Sequence, residues 1–274
     1  LSERQRRFGH GVDAYLRLLD TLRASESDTV RIGCALHSLR AVPSDAMHEV
    51  LTALPAASRI HIHIAEQQPE VDECVALRGA RPVQWLLDSV PVDARWTLVH
   101  ATHLDEEEVR DIAGSGATVA ICTTTEANLG DGLFPLRDFL DAGGRWGVGS
   151  DSNSSVDPVE ELRWLEYGQR LRAQRRNIAS SMRVPSVGIT LLNGVHASAA
   201  DSTGFAAEDR IVLDADAAIL AGATEADVVD RWLFSGNRPL VRDVEINGVR
   251  VVEDGRHRDR DAIATRFREA ARTM

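Results

Sequence analysis

Five clusters of polar side chains, each closing a short apolar run, are the residues whose types could do chemistry together. CALHSLRAV carries His37 and Arg40, HIHIAEQ carries His61, His63 and Glu66, and LVHATH carries His100 and His103. TTTEANLGDG, read as a glycine-rich loop, carries Glu126 and Asn128, and GVGSDS places Asp151 at its tip. Imidazole nitrogens and a carboxylate are what a catalytic zinc takes at about 2 Å, with one position left for water. Such an ion lowers the pKa of the water it holds towards about 7 and so provides a nucleophile. Attack on an amide or amidine carbon also needs a proton shuttle and a donor for departing ammonia. Along a strand His61 and His63 face the same way, with His63 nearer the C-terminal rim. His63 and Asp151 are therefore the candidate metal ligands, and Glu66, His100 and Asp151 suit the proton-handling roles. An Asp buried without a cation or donors is costly, which also favours a working role for Asp151.

The other histidines have plainer readings. His61 packs an interior more readily than it ligates, and His103 reads as a polar residue at a helix start. His10, His48, His196 and His257 have no neighbours to recommend them, and the five tryptophans read as core or interface packing.

Composition removes several alternatives. All 31 basic residues are Arg and none is Lys, so these 274 residues hold no P-loop, Schiff-base or carbamylated bridging lysine. A net charge of −11 argues against a nucleic-acid groove or an anionic membrane as partner. No apolar run approaches the roughly 18 residues of a membrane span, which leaves a small-molecule substrate as the expected partner. Cys34, Cys74 and Cys122 are odd in number and without a C-x-x-C pair, as expected of buried thiols in the reducing cytoplasm.

The elements that must position the clusters alternate. Apolar, β-branched runs at residues 30–36, 60–65, 96–101, 117–123 and 145–150 are separated by helical stripes such as Val12, Leu16, Leu19 and Leu22. LDEEEVRDIAGSG has acids in its first turn and Gly at its end, and Asp157-Pro158 is an N-cap followed by a first-turn proline. Repeated βα units imply an α/β fold with a parallel sheet under helices. A whole (β/α)8 barrel takes about 250 residues and about five units are visible. The expectation is thus a partial barrel whose N-terminal units precede residue 1 (which is not Met), or a smaller open sheet. Residues 1–205 are assigned to the C-terminal portion of the barrel. Residues 206–257 are assigned to strands of a small β-sandwich domain, from IVLDADAAIL and VEINGVRVVEDGR with an Asn247-Gly248 hairpin turn. Residues 258–274 are assigned to a C-terminal helix. The basic patch at residues 172–176 reads as a solvated helix face.

HIHIAEQ, LVHATH, TTTEANLGDG and GVGSDSNSSVDPVEELRWLEYGQRL together resemble the formimidoylglutamate deiminases of the amidohydrolase superfamily. The similarity runs from about residue 13 to 172 and weakens through the tail. His, His and Asp after successive strands give only the superfamily; HSLR and EELRWLEYGQRL narrow it to this branch. The resemblance implies a single zinc held by His63 and Asp151, with a His-x-His pair on a first barrel strand preceding residue 1. It implies proton transfer by Glu66 and His100, with Asp151 also contacting the water. It further implies that Arg40, assisted by His37, binds a carboxylate of the substrate through the bidentate contact Arg favours. The implied reaction turns N-formimino-L-glutamate and water into N-formyl-L-glutamate and ammonia, a step of histidine breakdown, in a homodimer. Asn153 stands where compared relatives often carry His. Two alternatives stay open: a superfamily deaminase acting on a purine, pterin or guanidine, and a non-catalytic fragment without its N-terminal ligands.

Overall fold

The computed structural model describes residue 6, residues 8–205 and residues 209–273. The chain forms two compact units, Leu1–Phe205 and Ala206–Met274. The first unit runs α1 (Val12–Arg23), β1 (Cys34–Ser38), α2 (Ser44–Ala53), β2 (Ile60–Ile64), α3 (Gln68–Arg78), α4 (Pro82–Ser89), β3 (Trp96–His100), α5 (Glu106–Ser115) and β4 (Thr118–Ile121). It continues with α6 (Thr123–Leu129), α7 (Leu136–Asp141), β5 (Arg145–Val148), α8 (Pro158–Ala173) and α9 (Val187–Thr203).

The five strands pair in parallel in the order β1-β2-β3-β4-β5. A strand order that never reverses, joined by right-handed crossovers, puts the helices on one face of the sheet. Burial along the strands shows which face. Cys34, Leu36 and Ser38 of β1 and Ile60, Ile62 and Ile64 of β2 are buried, while His37, His61 and His63 alternate with them on the more open side. The α/β expectation of about five βα units holds, and the strands expected in the tail form a separate antiparallel sheet.

Local chemistry sets the helix ends as read from the sequence. Asp105 accepts from the Glu107 and Glu108 amides in a capping box, and Gly116 stops α5 in the left-handed conformation. Asp157 caps α8 through the Val159 amide, with Pro158 in the first turn. Trp96 and Trp146 are fully buried, and Phe134 packs edge-on against Phe139 at 5.2 Å. Trp164, by contrast, is exposed on α8 and is not core.

The contact between α9 and β5 is tight. A Cβ built on Gly194 would lie 2.5 Å from Cζ2 of Trp146. The indole, 1% exposed, has no room to retreat. Gly194→Ala is expected to cost about 1–3 kcal/mol by overpacking, despite alanine's better helix propensity. A urea melt showing an unchanged or raised midpoint would contradict this.

Three expectations are corrected. β1 starts at Cys34 rather than residue 30, because Ser27 and Val30 exchange backbone hydrogen bonds and fold residues 27–30 into a turn. TTTEANLGDG is not a loop: residues 123–129 are helix α6, and its glycine serves as the stop, Gly130 being left-handed at the C-cap. IVLDADAAIL is a strand only in its first part.

The second unit holds β6 (Arg210–Leu213), a 3-10 turn (Ala218–Leu220), α10 (Val228–Phe234), β7 (Val241–Ile246), β8 (Val249–Glu253), β9 (Arg256–His257) and α11 (Arg260–Arg272). The Asp214 carboxylate accepts the Asp216 amide, an Asx turn that ends β6. The four strands form one antiparallel sheet, and Asn247 and Gly248, both with positive φ, make the β7–β8 turn. Residues 172–176 are solvent-exposed. No described helix is long and apolar enough to cross a membrane.

Candidate active site

Non-glycine residues with positive φ mark the ends of four of the five parallel strands: His37 one residue before the end of β1 (25°), Ala65 just past β2 (48°), His100 closing β3 with Ala101 after it (71° and 50°), and Asp151 three residues past β5 (50°). Each such residue costs about 1–3 kcal/mol and persists only where its surroundings dictate it. Here they turn the chain sharply so that side chains from separate strands face one point. The bends are tied together: the Ala101 amide donates to the Ile64 carbonyl and the His103 amide to the Ala65 carbonyl, both at 3.0 Å.

The result is a cavity of about 180 Å³ lined by His37, Ser38, Arg40, His63, Glu66, Glu70, His100 and Asp151. All six residues singled out from the sequence as ligands, proton carriers or substrate contacts share it. The His37 and His63 rings lie 5.4 Å apart, and the His63 and His100 rings stack at 5.7 Å. His63 Nδ1 lies 2.8 Å from the His37 carbonyl, so it donates there and leaves Nε2 as the lone-pair nitrogen. That arrangement orients an imidazole for a metal. His100 is 1% exposed, with Nε2 3.6 Å from Glu66 Oε1 and Nδ1 3.3 Å from Glu126 Oε1. Burial pulls the His100 pKa down, but the Glu126 hydrogen bond and the charges of Glu66, Glu126 and Asp151 outweigh it, and the net shift is upward. His37 is shifted downward by burial and by His63 and Arg40. Arg40 forms no ion pair with another described residue.

One premise fails. Asp151 is exposed, so the cost of burying it gives no support to its role. Its position at the bend after β5 and its place in the cavity wall are what remain.

Two cavity residues were not picked out by sequence. Ser38 Oγ meets His37 Nδ1 at 3.0 Å. Glu70, buried, accepts the Ala65 and Glu66 amides at 3.2 and 2.9 Å and so holds the bend that aims Glu66. Burial raises its pKa. A Glu in the first turn of a helix after HIAE was the only available signal. Glu126 and Asn128 separate: Asn128 is exposed, whereas Glu126 is buried beneath His100. His61 bonds to the Ser202 carbonyl and His103 to the Asp131 carbonyl, and neither lines the cavity. Asn153 also stays outside its wall, donating to the Thr124 carbonyl and accepting the Ser155 amide, which ties the loop after β5 to α6.

His100, Cys122 and Glu126 could also approach one ion together. Charge opposes it. Burial, then Glu126, Asp151 and Glu161, push the Cys122 thiol far above its ordinary value, and the Cys122 amide already occupies Glu126 Oε1 at 2.9 Å. His63, its Nδ1 alone bonded to the protein, and Asp151 stand on the cavity wall.

The chain belongs to the amidohydrolase family, whose model matches residues 11–200. Within it, the chain is 49% identical over 275 residues to a formimidoylglutamate deiminase of Pseudomonas aeruginosa, covering 97% of this chain and 61% of that protein. An amidohydrolase from Brucella melitensis superposes with a TM-score of 0.91 at 41% identity, over 98% of this chain and 61% of the other. An adenosine deaminase from Xanthomonas campestris, solved with bound zinc, shares the fold at a TM-score of 0.82 and 22% identity, over 96% of this chain and 62% of the other. The chain thus spans about three-fifths of the length of these proteins.

Proposed function

We propose that this chain supplies the proton-handling and substrate-binding part of an enzyme that hydrolyses N-formimino-L-glutamate to N-formyl-L-glutamate and ammonia. The observation that carries the reading is Arg40, without an ion-pair partner among the described residues, in the same small cavity as His63, Glu66, His100 and Asp151. Support comes from the Pseudomonas deiminase at 49% identity. In this reading the first unit is part of the catalytic barrel and the second a small β-domain. A zinc ion, a homodimer and the cytoplasm belong to the same proposal. The three cysteines are free and buried, as a reducing compartment requires.

His63 Nε2 and Asp151 would hold the ion, with other groups completing its shell, and when bound it would lower the pKa of a water towards about 7. The chain's own residues do the rest. Arg40 pairs with a substrate carboxylate and His37 stands beside it, fixing the formimino carbon over the cavity floor. Glu66 takes the proton of the attacking water and returns it to the imino nitrogen. His100, with Nε2 3.6 Å from Glu66 Oε1, takes the hydroxyl proton of the resulting adduct and passes it through Glu66 to the same nitrogen as the C–N bond breaks. Ammonia leaves, and the water oxygen remains as the formyl oxygen.

The test is ammonia release from N-formimino-L-glutamate by the zinc-loaded protein that carries this chain. Arg40→Ala should raise KM about 10- to 150-fold with a smaller change in kcat, since a charge-assisted hydrogen bond is worth about 1.5–3 kcal/mol. No turnover alongside activity on adenosine, or a KM indifferent to Arg40, would replace this reading with a ring deaminase.

A further inference from the structure

Glu126 does not line the cavity, yet it touches His100, which shares the proton work with Glu66 there. Its side chain is 2% exposed. One oxygen, Oε1, meets both the Cys122 amide at 2.9 Å and His100 Nδ1 at 3.3 Å. No Arg pairs with it among the described residues, so a buried carboxylate has been placed against an imidazole and a backbone amide. A buried carboxylate with so few donors is costly, and it is retained on the hidden side of His100, opposite the cavity.

We propose that Glu126 is a positioning residue that fixes the tautomer of His100. An ionised carboxylate can only accept, so the nitrogen facing it must carry the proton. His100 is then held with its fixed proton on Nδ1, and Nε2, 3.6 Å from Glu66 Oε1 and beyond a hydrogen bond, is the nitrogen left to exchange a proton with Glu66. The Cys122 amide locks this polarity. Because it donates to the same Oε1, whatever stands at that point must be an acceptor, and His100 has no choice of tautomer. The helix makes the arrangement possible: α6 begins at Thr123, so Glu126 reaches back one turn to the amide that precedes the helix. Glu161 of α8 braces the same turn from outside, accepting the Thr124 amide at 3.0 Å and the Thr124 hydroxyl.

The inference rests on the proposed role of His100, but its test does not need the proposed substrate. The zinc-loaded protein, labelled with 15N in its histidines, is compared with its Glu126→Gln and Glu126→Leu variants by long-range 1H–15N correlation of the imidazole, His100 being assigned by its loss in His100→Gln. The expected result is the Nδ1–H form in the parent. Glu126→Gln keeps that form, because the Cys122 amide holds the amide oxygen in place, while Glu126→Leu releases it to the Nε2–H form or a mixture. In kinetics with N-formimino-L-glutamate, Glu126→Gln, which keeps the tautomer but removes the negative charge behind His100, should lower kcat about 10- to 100-fold and leave KM within about threefold. A parent protein with His100 as Nε2–H overturns the proposal, as does a folded Glu126→Leu with an unchanged tautomer. If the Leu variant fails to fold, the parent tautomer and the kcat–KM split in Glu126→Gln decide it. An Nδ1–H parent that does not turn over N-formimino-L-glutamate leaves the tautomer assignment standing and removes the substrate reading alone.

Discussion

His63→Ala is expected to empty the metal site and abolish turnover, while His100→Ala keeps the metal and loses rate by about 10²- to 10⁴-fold, the usual worth of a positioned proton carrier. The two rings stack at 5.7 Å and come from neighbouring strands, so the division must come from what each nitrogen does. His63 spends only Nδ1 on the protein, at the His37 carbonyl, and its Nε2 is presented to the cavity. His100 is engaged at both nitrogens, by Glu126 on one side and Glu66 on the other. An imidazole already caught between two carboxylates is arranged to pass a proton rather than to ligate. Zinc content after exhaustive dialysis, measured beside kcat, separates the two variants. Equal zinc loss in both would mean that the assignment of ligand and shuttle is wrong.

How far the sequence leads towards this site depends on periodicity. Ile60, Ile62 and Ile64 alternate with His61 and His63, and a period of two fixes a strand and its faces without reference to anything distant. The position of a polar residue just past such a run is equally local, which is why His37, Arg40, His63, Glu66, His100 and Asp151 could be picked out. What could not be read depends on chain reversal. The left-handed bends at Ala65, His100 and Ala101 have no glycine to announce them. Glu70 in a helix's first turn looks like any solvated carboxylate until those bends bring two amides onto it. Glu126 was hidden by its neighbours: Gly130 and Gly132 suggested a loop, whereas Gly130 ends a helix whose buried face holds the carboxylate. The expected burial of Asp151 failed for the opposite reason. A strand-end position says that a side chain reaches the rim, not how much solvent meets it there.

Glu166 shows how much stability a buried carboxylate outside the site can carry. It lies on α8 with its side chain fully buried. It accepts the Ile178 amide at 2.8 Å, the Ala179 amide at 3.1 Å and Arg170 Nε at 2.8 Å. Ile178 and Ala179 are themselves buried, so water cannot replace the lost acceptor. Glu166→Leu has nearly the right volume but leaves the two buried amides without this acceptor and takes the carboxylate away from Arg170 Nε. Breaking a buried pair from one side costs about 3–5 kcal/mol. For a unit of this size, each kcal/mol moves Tm by about 2–4 °C, so a fall of roughly 6–20 °C is expected by calorimetry. Glu166→Gln keeps one acceptor and should lose about half as much. Neither variant should change kcat more than about threefold at 20 °C, because Glu166 is not in the cavity wall, and independent sites act separately. A Tm within about 2 °C of the parent in Glu166→Leu would mean that freeing the carboxylate from burial returns as much free energy as its three hydrogen bonds supply. In that case Glu166 serves to specify the path of residues 174–179 rather than to stabilise it.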